Sequence, residues 1–185
     1  MKKYRNMEFR ELMVCLVNLF EPQVYVEVGV QKGYTFNTIA PMVKRAVAVD
    51  IKMAKSVIPA GPQGIGTVEK YEMTSEVFSN MWRDKIDLLF IDADHRKSAV
   101  LADLRNLSKF VRIGTGLILL HDTHPVNSRL LQDGYCSNAW EVAELVHSSG
   151  FFCDFEIVTL PGPWAGLSIL RKVGKHHLQW MAEEG

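Results

Sequence analysis

Apolar residues fall into short runs along the chain, and these runs alternate with segments of helical spacing. Continuous apolar runs are typical of parallel strands buried on both faces. Strand alternating with helix indicates a doubly wound α/β sheet. The predicted strands are VYVEV (24–28), RAVAVD (45–50), GTVEKYE (66–72), DLLFID (87–92), GLILLHD (116–122), FEIVTL (155–160) and GLSILRKV (166–173). Helices are predicted over 7–20, 34–44, 74–83, 96–110 and 140–148.

The last two predicted strands are connected differently from the others. Only PGPWA separates them, and five residues cannot hold a crossover helix, so the pair should form an antiparallel hairpin. The length of 185 residues suits a single domain, 1–185. Within it we expect an N-terminal helix in 1–22 and a surface tail over 174–185.

Composition excludes several classes of protein. The 21 basic residues balance the 21 acidic ones, which gives no electrostatic reason to expect nucleic acid or an anionic membrane as a partner. No apolar stretch approaches the roughly 20 residues that span a bilayer, and the start has no apolar segment typical of a secretory signal. Cys15, Cys136 and Cys153 are widely spaced, as expected of reduced thiols. We therefore predict a cytoplasmic protein.

The stretch YVEVGVQKGYTF carries an acid into a glycine turn at the end of the first strand. The pattern is Glu27-x-Gly29-x-x-x-Gly33. A dinucleotide-binding turn would have a second glycine where Gln31 stands, and Glu27 would repel a diphosphate. The lysine of a P-loop is also missing after Gly33. The turn therefore favours a ligand other than a diphosphate.

A ligand with an ammonium and a carboxylate suits this turn better. Glu27 could attract the ammonium, and backbone N–H groups after Gly33 could bind the carboxylate. An amino-acid head joined to a nucleoside describes S-adenosylmethionine. Asp50, which ends the second strand, could accept hydrogen bonds from both ribose hydroxyls. In the alternative interpretation, Glu27 caps a helix or pairs with a lysine, and the glycines only turn the chain.

Because of these residues, the chain resembles the class I S-adenosylmethionine-dependent methyltransferases, and within them the small-molecule O-methyltransferase branch. The segments that carry the resemblance are YVEVGVQKG, AVAVD and IDLLFIDADHRKSAVLADLRNLSKFVRIGTGLILLHDTHP. Thr115-Gly116 departs from the paired glycines that are usual in this branch. The resemblance implies a Rossmann-like fold of seven strands in the order 3-2-1-4-5-7-6, with the last strand antiparallel.

The resemblance also implies a cofactor site for S-adenosylmethionine. A side chain at Gly29 or Gly33 would crowd the ligand, and the loop after the third strand, which begins at Glu72, should contact adenine. Met73 would then lie against the adenine ring, although it could equally be a core residue that ends a strand. The residues predicted to bind the cofactor are Glu27, Gly29, Val30, Gly33, Asp50, Ile51, Met73, Thr74 and Asp92.

Acids and histidines follow the fourth and fifth strands, as Asp92-Ala93-Asp94-His95 and His121-Asp122-Thr123-His124. Adjacent parallel strands would bring them together, which is costly unless the groups are solvated, paired or bound to metal. The resemblance to metal-dependent O-methyltransferases makes Asp92 and Asp122 two metal ligands. Thr123 would be a poor third ligand, but related sugar and antibiotic enzymes use the residue before the aspartate, here His121.

The predicted metal site is therefore Asp92, His121 and Asp122, holding a divalent cation (Mg, Mn or another). A histidine ligand favours manganese, iron or zinc over magnesium. In the alternative without metal, Asp92 contacts the cofactor or helix ends and Asp122 fixes a loop.

His95 and Asp92 are the predicted catalytic residues. Catechol- and caffeoyl-type enzymes carry a lysine base three residues after the first metal aspartate, and His95 occupies that position here. A histidine could remove a hydroxyl proton near neutral pH. In the alternative, His95 is a first-turn helix residue facing solvent.

The predicted function is methyl transfer from S-adenosylmethionine to a hydroxyl of a small-molecule acceptor. One alternative is metal-assisted chemistry of another kind, such as hydroxylation. The other is a non-catalytic cofactor-binding subunit, an interpretation that stays open because Thr123 would be a poor metal ligand. The N-terminal helix and the loops at 52–66 and 124–140 should select the acceptor, with Tyr135 and Trp140 either lining its pocket or packing the next helix. Trp164 could contact a partner subunit in a homodimer.

Overall fold

A single eight-stranded sheet organises the chain. The computed structural model describes residues 9–64, 66–148, 154–161 and 165–174. The strands are β1 (Val24–Val28), β2 (Arg45–Asp50), β3 (Gly61–Gln63), β4 (Gly66–Glu72), β5 (Leu88–Ile91), β6 (Leu117–His121), β7 (Phe155–Leu160) and β8 (Leu167–Lys172). The α-helices are α1 (Phe9–Phe20), α2 (Tyr34–Ile39), α3 (Ser75–Met81), α4 (Lys97–Leu107) and α5 (Trp140–Ser148).

The order of the strands is β3-β4-β2-β1-β5-β6-β8-β7. Without β3, this is the predicted order of seven strands. The pairs among β4, β2, β1, β5 and β6 are parallel, whereas β8 pairs antiparallel with both β6 and β7. The mostly parallel sheet with a C-terminal antiparallel hairpin is confirmed. The order reverses between β1 and β5, so the ligand crevice of such a sheet should open at their carboxyl ends.

The predicted loop 52–66 is wrong in one respect, because it contains β3. Gly61 and Gln63 pair antiparallel with β4 at the edge of the sheet. Pro62 lies between them and has no N–H to donate, which an edge strand tolerates. Two predicted helices also end earlier than expected: α2 and α4 pass into the 3₁₀ turns Ala40–Met42 and Ser108–Phe110.

Two apolar cores lie on opposite faces of the sheet. Tyr25 of β1 packs with Met13 of α1 and Phe36 of α2, while Val26, the next residue of β1, packs on the other face with residues of α3, α4 and α5. Because side chains alternate along a strand, Glu27 shares the face of Tyr25. This alternation directs the acid of the glycine turn toward α1 and α2.

Some predictions fall outside the described residues. These are the start of the N-terminal helix before Phe9, the contact at Trp164, and the tail beyond Gly174. Cys15 and Cys136 are free thiols. Among the described helices, none combines the length and the apolar character that crossing a membrane requires.

Candidate functional site

A cavity of about 1030 Å³ opens at the carboxyl ends of the central strands. It receives side chains from β1, β2 and β6 and from the segments that follow β1, β2, β4, β5 and β6. All of the predicted site residues except Gly33 line it, namely Glu27, Gly29, Val30, Asp50, Ile51, Met73, Thr74, Asp92, His95, His121 and Asp122.

Glu27 is a buried acid in the wall of this cavity, only 2% exposed. The hydroxyl of Tyr25, two residues earlier on the same face of β1, donates a hydrogen bond to its carboxylate. Burial raises the pKa of Glu27 well above its ordinary value, although the hydrogen bond from Tyr25 opposes this effect. The partner of Glu27 is thus a neutral hydroxyl, rather than the helix end or lysine of the alternative interpretation.

Asp50 fixes the glycine turn. Its Oδ2 accepts a hydrogen bond from the backbone N–H of Gln31 at 2.8 Å, and its Oδ1 accepts one from the N–H of Lys52 at 3.0 Å. Gln31 has a left-handed backbone, with φ of 48°. A carboxylate has about four lone-pair positions, so Asp50 can hold the turn and still accept hydrogen bonds from a ligand.

The two glycines of the turn are explained by packing within the protein. A Cβ at Gly29, where φ is +88°, would lie 2.3 to 2.5 Å from backbone atoms of Asp92 and Ala93. A Cβ at Gly33, where φ is +78°, would lie 3.0 Å from Cγ2 of Val57. Close approach of neighbouring segments therefore favours glycine at both positions, and crowding of a ligand stays a prediction.

The loops after β2 and β4 form the far end of the cavity. Ile51 is 76% exposed, as expected of a side chain that could cover a planar ring. Met73 lines the cavity and also packs against the core, and its contact with the adenine ring stays a prediction. Thr74 caps α3, because its Oγ1 accepts a hydrogen bond from the N–H of Val77 at 3.3 Å.

The second group of acids surrounds His95, and we name Asp92, His95, His121 and Asp122 the acidic cluster. The Nδ1 of His95 lies 2.9 Å from Oδ2 of Asp122, and its Nε2 lies 3.4 Å from Oδ1 of Asp92. The carbonyl of Tyr135 is also hydrogen-bonded to Nδ1. These contacts with Asp122 and Asp92 raise the pKa of His95 to about 11, so without a bound cation the ring carries a proton at neutral pH.

His121 lies on the other side of the same two carboxylates. Its Nδ1 is 3.2 Å from Oδ1 of Asp92 and 3.3 Å from Oδ1 of Asp122, but neither contact has the direction of a hydrogen bond and the nitrogen is buried without one. Burial alone would lower the pKa of His121, but the two carboxylates raise it to about 10. For Asp92 and Asp122, burial opposes ionisation, yet the histidines outweigh it and lower both pKa values.

Three side chains of the acidic cluster could hold a metal ion. Ligand atoms of Asp92, His95 and Asp122 all lie within 4.8 Å of one another. The structure thus adds His95 to the two predicted aspartate ligands, and the third predicted ligand, His121, has its Nδ1 beside the same two carboxylates. Two carboxylates and an imidazole fit a divalent cation, and this mixed donor set suits manganese, iron or zinc better than magnesium.

Thr123 belongs to a different part of the structure. It is buried, and its Oγ1 accepts a hydrogen bond at 2.8 Å from Ser168 of β8. Ser168 in turn lies 2.7 Å from the hydroxyl of Thr159 on β7. This chain of hydroxyls ties the loop after β6 to the hairpin. Thr123 is therefore a structural residue and not a poor substitute for a metal ligand.

Several residues of the site escaped the sequence interpretation. Thr35 is buried in the cavity wall at the start of α2, and Phe9 and Arg10 of α1 also line the cavity. Cys136 is buried beside the acidic cluster, with its Sγ 3.4 Å from Oδ1 of Asp122, and burial raises its pKa to about 12. The polar sequence around Cys136 gives no sign of this position, which depends on how the loop folds back.

The two candidate acceptor aromatics differ. Tyr135 lines the cavity, with 55% of its surface exposed. Trp140 begins α5 and does not line it, as expected if it packs the next helix.

Comparisons with known proteins agree with this geometry. A family model described as "Methyltransferase domain" matches residues 26–123, more than half of the chain. No curated protein matches the sequence.

Solved structures share the fold at low sequence identity. The cofactor-bound protein Rv0187 from MTB is 14% identical, with a TM-score of 0.68 over 95% of this chain and 84% of that chain. The O-methyltransferase TomG from Streptomyces achromogenes is 15% identical, with a TM-score of 0.65 over 90% and 80%. An O-methyltransferase from Bacillus cereus is 15% identical, with a TM-score of 0.63 over 93% and 84%.

The match over 26–123 covers both β1 with its glycine turn and the strands that carry the acidic cluster. The predictions of the fold and of a methyltransferase are confirmed, and S-adenosylmethionine as the cofactor stays a prediction. The chain belongs to the methyltransferase-domain family.

Proposed function

We propose that the chain transfers the methyl group of S-adenosylmethionine to a hydroxyl oxygen of a small-molecule acceptor. The observation that carries this proposal is the division of one cavity between two kinds of acid. Glu27 and Asp50 stand at the tips of β1 and β2, and the acidic cluster stands at the tips of β5 and β6. The cofactor would occupy the first end, with its methyl group directed toward the second.

Glu27 is suited to an ammonium ligand. Without a cation, burial favours its neutral form, but an ammonium in the cavity would stabilise the carboxylate. Asp50 would accept hydrogen bonds from the ribose hydroxyls, and Thr35 adds a hydroxyl near the start of α2 that could bind the amino-acid carboxylate. In this arrangement Ile51 and Met73 would contact the adenine ring.

The acidic cluster is suited to activating an acceptor hydroxyl. A divalent cation held by Asp92, His95 and Asp122 would lower the pKa of that hydroxyl when bound. In the absence of a cation, the protonated rings of His95 and His121 neutralise the two carboxylates. The role of His95 as general base therefore requires that its own proton leave first.

The chemical step is an in-line displacement. The acceptor oxygen forms a bond to the methyl carbon while the carbon–sulfur bond breaks, and the electron pair of that bond stays on sulfur. The hydroxyl proton passes to a base, and S-adenosylhomocysteine leaves. The protein contributes chiefly by holding oxygen, carbon and sulfur on one line in a site with little water.

Two structural neighbours support the donor and the acceptor class. TomG is an O-methyltransferase involved in tomaymycin synthesis, in complex with SAM, and the Bacillus cereus O-methyltransferase is in complex with SAH. The homodimer and the cytoplasmic location stay predictions.

The test combines binding with product analysis. Calorimetry should show uptake of S-adenosylmethionine and S-adenosylhomocysteine by the wild-type protein. Labelled S-adenosylmethionine should then transfer its methyl group to a member of a panel of phenols, catechols and sugar alcohols, adding one CH₂ to the product mass. The assay is run after EDTA treatment and again after addition of Mn, Fe, Zn or Mg, to show whether a cation is required.

Two other results would identify the alternatives. A product that gains oxygen instead of CH₂ would indicate hydroxylation. Cofactor binding without turnover on any acceptor would support the non-catalytic subunit. Failure to bind either form of the cofactor would contradict the proposal as a whole.

A further inference from the structure

Arg10 lies in the first turn of α1 and faces the cavity. Met13 and Val17, three and seven residues later, are buried in the core beneath the helix, and this helical spacing places Arg10 on the same side. Arg10 and its neighbour Phe9 both line the cavity. The helix thus brings a cation to the rim of a site that is otherwise rich in acids.

Aromatic rings hold this first turn in place. The ring of Phe9 lies 4.3 Å from that of His121 and 5.7 Å from that of Phe90, measured between centroids. The guanidinium of Arg10 lies 5.6 Å from the ring centre of Phe9 and 5.9 Å from that of Tyr34. Tyr34 begins α2 directly after the glycine turn. Arg10 is therefore positioned between the acidic cluster and the turn that follows Glu27.

The charges that line the cavity are unequal. Eight aspartate and glutamate side chains line it, against three lysine and arginine side chains, Arg10, Lys32 and Arg96. Arg96 is bound by Asp94, whose two oxygens accept from its Nε at 3.0 and 2.9 Å. Lys32 is exposed at the tip of the glycine turn. Arg10 lies near the rings of Phe9 and Tyr34, which also line the cavity.

We infer that Arg10 binds the carboxylate of a ligand in this cavity. A guanidinium offers two parallel N–H groups that match the two oxygens of a carboxylate. The inference rests on the proposed function, because it assigns a partner to a ligand of the same site. The carboxylate has two sources, the amino-acid end of S-adenosylmethionine and an acidic acceptor. The proximity of Tyr34 favours the first source.

The test of the first source compares ligands with and without the carboxylate. Calorimetry measures binding of S-adenosylhomocysteine and of 5′-methylthioadenosine, which lacks the amino acid, to wild type, Arg10→Gln and Arg10→Lys. Arg10→Gln should weaken S-adenosylhomocysteine at least tenfold and change 5′-methylthioadenosine by less than about twofold. Arg10→Lys keeps the charge and should recover part of the loss. Arg129→Gln removes an exposed charge from outside the cavity and should change neither ligand.

The second source is tested in the methyl-transfer assay. If the acceptor supplies the carboxylate, Arg10→Gln should leave S-adenosylhomocysteine binding unchanged. It should instead raise KM at least tenfold for a hydroxybenzoate, but not for the matching phenol. Thermal melting of each variant separates a binding defect from a folding defect.

Three results would overturn the inference. Arg10→Gln could bind S-adenosylhomocysteine and use the hydroxybenzoate as wild type does. The loss could instead appear in Lys32→Gln and not in Arg10→Gln. Wild-type protein that binds neither S-adenosylhomocysteine nor S-adenosylmethionine would remove the proposed function and this inference with it, whereas the first two results remove the inference alone.

Discussion

The two ends of the cavity differ in how their acids are stabilised. At the tips of β1 and β2, Glu27 is hydrogen-bonded to a neutral hydroxyl and Asp50 to backbone N–H groups. At the tips of β5 and β6, Asp92 and Asp122 share two histidines that carry compensating charge. The first end is built from a strand and its adjacent turn. The second end is assembled from separate segments, and its charge balance depends on the protonation of the two histidines.

This difference has a consequence for function. A turn whose acids have neutral hydrogen-bond partners suits a constant ligand such as the cofactor. Acids balanced by titratable histidines suit a place where charge must change, either because a cation binds or because a proton leaves. Variants at the first end should therefore change cofactor binding, and variants at the second end should change turnover. The four variants below are ordered from the largest expected effect to the smallest.

Replacing His95 by alanine should have the largest effect and should be confined to turnover. We expect the rate of methyl transfer to fall roughly 10²- to 10⁴-fold, the usual range for loss of an acid–base group. The Kd for S-adenosylmethionine should stay within about threefold, because Glu27 and Asp50 are untouched. Single-turnover assays and calorimetry measure the two quantities.

His147→Ala, at an exposed position of α5, is the matched control and should leave both quantities unchanged. Equal turnover in His95→Ala and wild type would remove His95 from the mechanism and erase the distinction between the two ends.

Replacing Gly29 by alanine should damage both ends, because the added Cβ would strike the backbone of Asp92 and Ala93. We expect a loss of about 3 kcal/mol or more in the free energy of unfolding, from a left-handed backbone and overpacking together. Urea denaturation measures it. Gly114→Ala is the control, since Gly114 has a φ of +84° but a Cβ there would meet nothing within 4 Å, and it should cost only about 1–2 kcal/mol. Equal losses would mean that the contact with the segment after β5 is unimportant.

Replacing Glu27 by glutamine should have opposite effects on binding and on stability. Loss of the carboxylate should weaken S-adenosylmethionine about 10- to 100-fold at pH 8. The raised pKa of folded Glu27 means that the folded protein binds this proton more tightly than the unfolded chain does. Stability is therefore lost as the pH rises above the unfolded pKa of about 4.3. Glutamine lacks this penalty.

Glu27→Gln should accordingly unfold at a higher temperature than wild type at pH 8, with the difference shrinking toward pH 4. Melting curves over that pH range measure it, and Glu11→Gln, at an exposed position of α1, should show no such trend. A variant that binds the cofactor as tightly as wild type would contradict the role of Glu27.

Replacing Thr123 by valine should have the smallest effect. The change breaks the hydroxyl chain to Ser168 and should cost about 1 kcal/mol of stability. Metal content and turnover should stay at wild-type values, because the hydroxyl points to the hairpin. Thr115→Val, at an exposed position, is the control. If Thr123→Val lost bound metal and Thr115→Val did not, Thr123 would have to be a metal ligand.

The bounds of the central strands could be predicted closely because each strand has a recognisable pattern of apolar residues. β1 and β2 begin and end where predicted, since strands buried on both faces require uninterrupted apolar residues between polar turns. β4 also has its predicted bounds, although Val68 is its one buried residue. β3 could not be predicted, because three residues that include glycine and proline have no period. The glycine turn could also be predicted, since Glu27, Gly29 and Gly33 lie within one local segment.

The acidic cluster was predicted only as a meeting of strand ends. The sequence placed Asp92, His95, His121 and Asp122 at the same edge, but it could not say that each histidine contacts both carboxylates. Those contacts depend on side-chain directions after β5 and β6. The burial of Cys136 beside Asp122 likewise depends on how a polar loop folds back.

The sequence by itself thus determined the main strands and the acid of the glycine turn, because local periodicity and short-range spacing specify them, whereas the order of the strands was implied by the family resemblance. Only the tertiary structure decided the partners of the acids, the inward turn of Thr123 toward β8, and the position of Arg10 over the cavity. These features arise where segments distant in the chain pack together, and no local pattern of residues records the directions their side chains take.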